Sequence, residues 1–354
     1  MSQSIDSALS RAQRWLRDNA RRFAFKRLKK DIIDTGVCTE CGACVNICPV
    51  NALSGETTGN RYVPILTGEC VSCGLCYSVC PRTIVLASEL LGDLRSVWKV
   101  RSTGTHRRQD GGAVTAILHH MLENRIVDAA VVAGPGDEPM YPRPVVVTDP
   151  EEVLRYGGTF YVHVPVIEGV LRAMKAGHRA VAVVGTSCNI DAASSLERHP
   201  AGLVAVDPRY SIFKVSLFCM ESFDHTALRK FIESAGIGAR DVRRTSISKG
   251  VFRVETDATS REWPLSDIED YAATSCLYCR DFTGKNADMS CGNIGSPDGW
   301  TTVIVRSLRA EYVLQEASSA GLVEVQPLEP KDIVSIENMC RTKAMRQYEL
   351  GRRT

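Results

Sequence analysis

Eight of the fourteen cysteines in this chain of 354 residues stand in two runs with the same spacing. The first run reads CTECGACVNICPV and the second reads CVSCGLCYSVCPR, so each follows the pattern C-x2-C-x2-C-x3-C-P. Thiolates at such close spacing are typical ligands of metal ions and iron–sulfur clusters. The cysteines of the two runs are Cys38, Cys41, Cys44, Cys48, Cys70, Cys73, Cys76 and Cys80.

Whether cysteines form disulfides or bind metals depends on the compartment in which the protein resides. The first residues, MSQSIDSALSRAQRW, lack the apolar core of a signal peptide, and no apolar run approaches the roughly 20 residues of a membrane span. We therefore expect a cytoplasmic protein, in which thiols stay reduced and disulfides are disfavoured. The formal net charge of +2 gives no indication of a nucleic-acid partner.

The repeated spacing is typical of bacterial ferredoxins with two [4Fe–4S] clusters. In that pattern three cysteines surround one cluster, with Gly42 and Gly74 at tight backbone positions, while the fourth cysteine begins a helix and binds the other cluster. A pair of zinc knuckles is the alternative, which the duplicated runs and their terminal proline disfavour. One predicted cluster is bound by Cys38, Cys41, Cys44 and Cys80, and the other by Cys70, Cys73, Cys76 and Cys48.

The segment before the first run is strongly basic. Residues 8–33 place apolar side chains at helical spacing, and nine of the twenty residues from Arg11 to Lys30 are Lys or Arg. We predict one basic amphipathic helix within residues 1–34. Either its apolar side packs on its own protein, or the helix docks to an acidic partner subunit or an anionic membrane surface.

Beyond about residue 93, helical segments alternate with β-branched strands such as AVAVVGT and FKVSLFC. This alternation predicts an α/β catalytic domain with a largely parallel sheet, behind an N-terminal ferredoxin-like (α+β) domain with two [4Fe–4S] clusters. The predicted parts are residues 1–34 (basic helix), 35–92 (ferredoxin domain), 93–330 (α/β domain) and 331–354 (C-terminal helix or tail).

Four further cysteines could form a third site. Cys188 and Cys219 follow predicted strands, and ligands gather at the carboxyl ends of strands in α/β sheets. Cys276 and Cys279 form an isolated C-x2-C pair. Four thiolates suit a zinc ion or a third [4Fe–4S] cluster, and the alternative is two inert buried thiols beside a local pair. Spacing alone leaves both interpretations open.

Several stretches from Lys99 to Leu328 resemble the family of coenzyme F420 hydrogenase/dehydrogenase beta subunits. They include RRQDGGAVTAILHHMLENRI, GTFYVH, VVGTSCNI, LFCMESF, CLYCRDF and ADMSCGNIGSPDGW. The ferredoxin pattern placed before them most resembles the electron-input subunit of the family's F420 dehydrogenases. The resemblance implies that Cys188, Cys219, Cys276 and Cys279 bind a third [4Fe–4S] cluster. Cys291 and Cys340 fall outside this pattern and are interpreted as ordinary buried thiols.

The resemblance also implies FAD, which the sequence alone does not indicate. The stretch GPGDEP lacks the third glycine of the dinucleotide fingerprint. Glycine-rich turns that let backbone amides approach phosphates are better candidates, although each glycine could instead serve a plain tight turn. Gly111 and Gly112 also open a predicted helix, whose N-terminus favours phosphate. The predicted FAD-binding residues are Gln109, Asp110, Gly111, Gly112, Thr115, Gly158, Thr159, Ser290, Asn293 and Gly295.

By this resemblance the chain is an oxidoreductase that transfers a hydride between reduced coenzyme F420 and FAD. Single electrons then pass through three clusters to a membrane dehydrogenase complex, a hydrogenase or a ferredoxin-type carrier. The protein is expected in the cytoplasm, or at the inner face of the membrane through such a complex. Hydride transfer needs no side-chain acid or base, so no catalytic residue is assigned to His106, His119, His120 or His163. Basic candidates for the anionic tail of coenzyme F420 are Arg101, Arg107, Arg108, Arg143 and Lys285.

Three residues depart from the family pattern near the expected flavin and third cluster. Phe160 stands where many members have Lys, and Ser187 and Asn189 replace the Pro and Gln of GTPCQ. These changes leave room for a ferredoxin-dependent flavin reductase that acts on another organic substrate. Two further alternatives are a non-catalytic electron-relay subunit with an empty flavin pocket and a structural zinc protein.

Overall fold

The computed structural model divides the chain into two compact units. The cysteine-rich unit contains Ser2–Gly92, Leu277–Asp281 and Val334–Thr354, and the sheet unit contains Asp93–Cys276 and Phe282–Ile333. None of the described helices is long and apolar enough to cross a membrane. The described residues are 7–84, 87–106, 108–198, 207, 209–346 and 348.

The cysteine-rich unit is built from short elements around a two-stranded antiparallel hairpin. The hairpin pairs Leu53 with Leu66 at its open end and lies between the two cysteine loops in the sequence. The helices and strands of this part are α1 (Ala8–Asn19), α2 (Phe25–Leu28), α3 (Ala43–Asn46), β1 (Leu53–Thr58), β2 (Arg61–Leu66), α4 (Leu75–Ser78) and α5 (Ala87–Leu91).

The basic N-terminal segment is not the single helix that the sequence predicts. After α1 comes a 3₁₀ turn, then extended backbone at Ala24, and α2 continues into a π-helical turn. Phe23 is half-buried and contacts Tyr77 at 4.9 Å between ring centroids, and Phe25 is buried. Residues two apart point to different sides of a continuous helix, so both rings can pack inward only where the helix breaks.

The prediction that the fourth cysteine of each run begins a helix is also wrong. The helices α3 and α4 come before Cys48 and Cys80, and each of these cysteines is followed by a turn. The backbone N of Asn51 donates to the carbonyl oxygen of Cys48 at 3.3 Å, and Thr83 N donates to Cys80 in the same way at 3.1 Å, so a tight turn takes the place of the first turn of a helix.

The sheet unit contains one sheet of eight strands in the order β13-β3-β12-β11-β7-β6-β4-β5, with helices beside it. A separate antiparallel sheet has the order β10-β9-β8. The strands are β3 (Ser96–Ser102), β4 (Ala129–Pro135), β5 (Pro142–Val147), β6 (Ala180–Thr186), β7 (Ser211–Leu217), β8 (Arg244–Ser248), β9 (Val251–Glu255), β10 (Ser260–Pro264), β11 (Met289–Gly292), β12 (Thr301–Val305) and β13 (Val323–Pro327). The helices are α6 (Ala113–Glu123), α7 (Pro150–Val153), α8 (Val166–Lys175), α9 (Ser187–Arg198), α10 (His225–Ser234) and α11 (Leu308–Ser319).

The large sheet is mixed, whereas the sequence predicts a largely parallel one. Only the central pairs β4–β6, β6–β7 and β7–β11 are parallel, and the four other pairs are antiparallel. The loops 136–141 and 293–300 join neighbouring strands and are too short for a crossover helix, so those strands must run antiparallel. The predicted alternation of strands and helices from α6 to α10 is confirmed.

The central strands carry the core because they are covered on both faces. Val131, Val181, Val183 and Ile212 have no exposed surface, as expected for parallel strands with apolar runs. The order of the strands places β6 and β7 side by side, with Thr186 opposite Leu217 at their carboxyl ends. That edge of the sheet is where the predicted strand-end cysteines lie.

The last helix, α12 (Pro330–Met345), carries residues that pack on α1 within the cysteine-rich unit. Arg11 forms a buried ion pair with Glu337, 2.5 Å from Nε to Oε1. Trp15 donates from Nε1 to Asn338 at 3.2 Å, and the guanidinium of Arg341 lies 4.0 Å from the centre of its ring. The apolar side of the N-terminal segment is therefore buried in its own unit, as the first of the two interpretations requires.

Candidate functional site

The two cysteine loops repeat the same backbone conformation. The second residue after the first cysteine has positive φ in both loops, 60° at Glu40 and 55° at Ser72. The glycine after the second cysteine does too, with φ of 73° at Gly42 and 75° at Gly74. This left-handed conformation confirms the tight positions predicted for the two glycines. Left-handed residues in such a loop turn backbone N–H groups inward, which suits an anionic cluster.

The four cysteines assigned to the first cluster are neighbours in space. Burial, with smaller contributions from the nearby thiols of Cys38 and Cys80, raises the pKa of Cys44 to about 11. Burial also raises the pKa of Cys80, again with contributions from Cys38 and Cys41. One thiol from the second run therefore joins three from the first. Four adjacent thiols ionise together only when a metal centre replaces their protons, so the donor set fits a [4Fe–4S] cluster.

The four cysteines assigned to the second cluster line one cavity. Cys48 from the first run meets Cys70, Cys73 and Cys76 there, and Ala24 of the N-terminal segment closes another side. Burial raises the pKa of Cys76 to about 12. The backbone N–H of Ala52 lies 3.3 Å from the sulfur of Cys48, and such a donor lowers the charge density on a ligating sulfur. This cavity fits the crossed ligand set that the repeated spacing predicts.

A second group of thiols lies at the carboxyl ends of β6 and β7. Cys188 is in the first turn of α9, directly after β6, and Cys219 comes two residues after β7. The sulfur of Cys276 lies 3.4 Å from the backbone N of Ser222, three residues beyond Cys219. Two parallel strands and a distant 3₁₀ turn therefore bring these three cysteines to one edge of the sheet.

His163 lies between two of these thiols. Its Nε2 is 3.9 Å from the sulfur of Cys276, and a hydrogen bond with Cys188 lowers the pKa of that thiol. The same contacts, first with Cys188 and then with Cys276, raise the pKa of His163 to about 10. Cys279, the fourth predicted ligand, belongs to the segment Leu277–Asp281 of the cysteine-rich unit, and its sulfur lies 3.5 Å from the carbonyl oxygen of Asp281.

Of the two departures beside Cys188, Asn189 has a structural role. The side-chain oxygen of Asn189 accepts hydrogen bonds from the backbone N of Thr186 at 3.2 Å and from its hydroxyl at 3.0 Å. The hydroxyl of Ser187 is buried at the start of α9. Asn189 thus satisfies a donor at the strand–helix junction and fixes the turn that presents Cys188.

Two of the three glycine-rich segments meet at β8. Gln109 donates from Nε2 to the carbonyl oxygen of Thr245 at 3.1 Å, and the hydroxyl of Thr245 lies 3.5 Å from the carbonyl oxygen of Thr159. Gly111 packs so closely on the start of β12, directly after the third segment, that a Cβ would lie 2.6 Å from the backbone N of Thr301. Gly112, with φ of 75°, caps the N-terminus of α6. The three segments therefore border one region of the sheet unit.

The remaining predicted FAD residues differ in exposure. Thr115 is buried in the first turn of α6, whereas Gly158 and Gly295 adopt positive φ of 133° and 93° in loops. Ser290 has no exposed surface, and its hydroxyl accepts a hydrogen bond from Nε of Arg306 at 2.8 Å. Asn293 is half-buried in the loop after β11. Their assignment to FAD stays a prediction.

Sequence reasoning missed a group of ionisable residues around Asp110. Burial raises the pKa of Asp110, the charge of Arg244 opposes this shift, and Asp298 adds to it. Arg244 also donates from Nη2 to the carbonyl oxygen of Gln109 at 2.6 Å, and burial raises the pKa of nearby Tyr161 to about 12. Gln109 and Arg244 are 135 positions apart in the sequence, and β8 carries no recognisable motif. No local sequence signal therefore marks Arg244.

Two of the five basic candidates for the coenzyme tail form ion pairs. Arg101 pairs with Glu324, and Arg143 lies 3.2 Å from Asp137. Arg108 is exposed, with Nη1 3.4 Å from the carbonyl oxygen of Ser102. Lys285 is half-buried, and Arg107 lies outside the described residues. Their role in binding coenzyme F420 stays a prediction.

The other histidines considered above, and the two cysteines outside the ligand sets, lie in ordinary packing environments. Burial lowers the pKa of His106 and of His120, and His119 contacts Glu151 at 2.9 Å. Cys291 is buried in β11, where desolvation raises its pKa to about 12. Cys340 is buried in α12.

The chain matches two parts of one family and a separate iron–sulfur domain. Residues 97–170 match the N-terminal part, and residues 178–331 the C-terminal part, of the coenzyme F420 hydrogenase/dehydrogenase beta subunit. Residues 37–84 match a 4Fe–4S dicluster domain.

Known proteins resemble the chain over most of its length. The beta subunit of coenzyme F420 hydrogenase in Methanothermobacter thermautotrophicus is 34% identical over 245 residues, which cover 68% of this chain and 87% of the relative. A subunit of the F420H2 dehydrogenase in Methanosarcina mazei is 30% identical over 315 residues, or 82% and 88% of the two chains. A chain of the F420-reducing [NiFe] hydrogenase complex from Methanosarcina barkeri matches with a TM-score of 0.69 and 31% identity, over 74% of this chain and 92% of that one. The chain therefore belongs to the family of coenzyme F420 hydrogenase/dehydrogenase beta subunits and carries an N-terminal 4Fe–4S domain.

Proposed function

We propose that the chain transfers a hydride between reduced coenzyme F420 and FAD and passes single electrons through three [4Fe–4S] clusters to a partner protein. The observation that carries this proposal is the meeting of Cys188, Cys219 and Cys276 in the same unit as the converging glycine-rich segments. A flavin accepts a hydride and releases electrons singly, and a [4Fe–4S] cluster carries one electron at a time.

The residues of the sheet unit would hold and orient the flavin. The backbone N–H groups at the start of α6, next to Gly111 and Gly112, suit the pyrophosphate because they lie at the positive end of a helix dipole, and no side chain of the described residues caps them. Gln109 and Thr159 both contact β8, so that strand fixes the distance between two of the binding segments. Arg244 acts as a positioning residue, since its guanidinium holds the carbonyl oxygen of Gln109.

The thiols would hold the clusters in two groups. The two crossed sets of four in the cysteine-rich unit bind a pair of clusters, as the cavity lined by Cys48, Cys70, Cys73 and Cys76 supports. Cys188, Cys219, Cys276 and Cys279 bind the third. His163 lies against two of these sulfurs and would donate an N–H hydrogen bond to them.

The relatives named as hydrogenase and dehydrogenase subunits suggest that this chain has partner subunits too. We propose that the electrons pass to or from such a protein subunit, or a ferredoxin-type carrier, in the cytoplasm. Association with a membrane would then occur through the partner complex.

Anaerobic mixing with reduced coenzyme F420 tests the proposal. We expect the absorbance of oxidised coenzyme F420 to return while the iron–sulfur absorbance of the chain bleaches. NADH serves as the control donor and should cause neither change. If iron and FAD are present and reduced coenzyme F420 also causes neither change, the assignment of the hydride donor is wrong. A protein that binds its iron but no flavin would instead be a relay subunit.

A further inference from the structure

One edge of the cysteine-rich unit exposes both thiols and apolar side chains. Cys70 and Cys73 of the second cluster cavity are exposed. Val50 and Val71 line the same cavity, yet they expose 45% and 59% of their surface. Apolar side chains at the mouth of a redox site give a carrier protein a small dry contact close to the electron donor.

Cations flank this edge. Ala24 and Phe25 line the same cavity, and a Cβ on Gly74 would lie 3.3 Å from the Cα of Ala20. The N-terminal segment therefore runs along the second cysteine loop. Its exposed basic residues next to these contacts are Arg21, Arg22 and Lys26, which we call the cationic rim.

The charge of the cationic rim is not balanced locally. Within the part of the chain that the structure describes, none of its three residues forms an ion pair. The nearby acids are engaged elsewhere, since Asp34 pairs with Lys29 and the buried Asp31 pairs with Arg27. Glu69, beside Cys70, is the exposed acid of the loop itself. Three cations stand against one acid at this edge, so the side chains around the anionic cluster are net positive.

The first cysteine loop is different although it has the same backbone. Glu40 stands in that loop and accepts hydrogen bonds from Nε of Arg61 and from the backbone N of Tyr62, both at 2.9 Å. Arg61, the first residue of β2, therefore neutralises the acid of the first loop, and the unpaired cations of the rim lie beside the second loop.

A membrane surface is the less suitable occupant. A helix that binds a bilayer needs a free apolar face, and here Ala12, Trp15, Phe25, Leu28 and Ile32 are buried within the unit. The exposed residues of the segment next to the cavity, Arg21, Arg22 and Lys26, are cations. They suit an acidic protein, whose charges would steer it to the cluster edge.

We propose that the cationic rim together with Val50 and Val71 is the docking face for an acidic single-electron carrier protein. This inference rests on the proposed function and adds the exit point and the charge of the partner. The reaction at this face is the transfer of one electron from the reduced second cluster to the oxidised centre of the carrier. No bond forms or breaks, and the contact is small and transient, as in other redox encounters.

The test uses the full chain with its iron, reduced by dithionite and freed of excess reagent. An oxidised acidic two-[4Fe–4S] ferredoxin is the probe, and stopped-flow absorbance gives the second-order rate constant. We expect the triple variant R21E/R22E/K26E to react about 100-fold more slowly at low salt, and the difference to shrink as salt screens the charges. The control is K175E/R240E/K249E, which makes the same charge change at exposed residues of the sheet unit and should keep most of the rate.

Three results would overturn the proposal. The first is an unchanged rate in R21E/R22E/K26E with its iron content intact. The second is an equal loss of rate in the control variant, which would mean that the net charge of the chain, and not the position of the cations, sets the rate. The third is binding of the native chain to phosphatidylserine vesicles that the triple variant loses while its rate with the ferredoxin is kept. A second variant, Val71→Ser, should slow the reaction without changing its salt dependence. Because dithionite supplies the electrons, the outcome does not depend on whether coenzyme F420 is the hydride donor.

Discussion

The cysteine-rich unit and the strand-end thiols of the sheet unit place ligands by different means. In the first, each run of four cysteines folds as a local loop, and two glycines with φ near 75° shape both loops alike. In the second, Cys188 and Cys219 reach one edge because β6 and β7 are neighbours, and Cys276 joins them from a distant 3₁₀ turn. A local loop can be predicted from spacing, whereas a site gathered by a sheet cannot.

Loss of a cluster is the largest effect that we expect from removing one ligand thiol. Cys48→Ser removes one thiol from the cavity that it shares with three cysteines of the other run. Iron bound per chain should fall by about a third, since one of three proposed clusters loses a ligand. Iron analysis of the purified variant measures this, with Cys340→Ala as the control because Cys340 is a buried thiol outside the ligand sets. Full iron content in Cys48→Ser would refute the crossed assignment.

The same experiment in the sheet unit uses Cys188→Ser. Iron should again fall by about a third, but the electron paramagnetic resonance signals of the paired clusters should persist after reduction with dithionite. Cys291→Ala is the control, since this thiol is buried in β11 and should bind no iron. Retention of all the iron in Cys188→Ser would mean that the strand-end thiols hold no cluster.

The buried ion pair of Arg11 and Glu337 predicts the next largest effect. Arg11→Ala leaves the carboxylate of Glu337 buried without this partner, and breaking such a pair costs about 3–5 kcal/mol. The midpoint of denaturant unfolding, followed through the cluster absorbance, should fall accordingly. Arg17→Ala removes an exposed partner of Asp18 and should change the midpoint little. Equal midpoints in the two variants would show that α12 does not stabilise the cysteine-rich unit through this pair.

The smallest expected effect is a difference in stability between matched glycine variants of the two cysteine loops. Gly42→Ala and Gly74→Ala each force alanine into a left-handed conformation, at a cost of about 1–2 kcal/mol. A Cβ at Gly74 would also lie 3.3 Å from the backbone of Ala20, whereas the nearest atoms to one at Gly42 are 3.7 Å away. Gly74→Ala should therefore be the less stable of the two by thermal unfolding. The reverse order would mean that contact with Ala20 does not constrain the second loop.

The sequence was sufficient wherever the signal is local. The runs of cysteines, the two glycines and the strands and helices from α6 to α10 follow from spacing and periodicity. It was insufficient where distant segments decide the outcome. Phe23 and Phe25 break the N-terminal helix only because Tyr77 and the cluster cavity lie beside them.

The same limit applies to the sheet and the candidate flavin site. Strands β3, β12 and β13 complete a mixed sheet through pairings between segments about 200 residues apart, which no window of sequence reveals. Arg244 lies on such a late segment, and its contact with Gln109 exists only in the folded chain. The hydride donor and the flavin rest on family resemblance, because their binding groups are mainly backbone amides that carry no residue signature.

The most direct test of the account is electron flow from the sheet unit to the paired clusters. Reduced coenzyme F420 is added anaerobically to the native chain and to Cys276→Ser, and the signals of the paired clusters are recorded by electron paramagnetic resonance. We predict that they appear in the native chain and are absent or strongly delayed in the variant, although dithionite still produces them there. Equal signals in both proteins would contradict the route through the strand-end thiols, and a native chain that oxidises coenzyme F420 without any cluster signal would contradict the electron path as a whole.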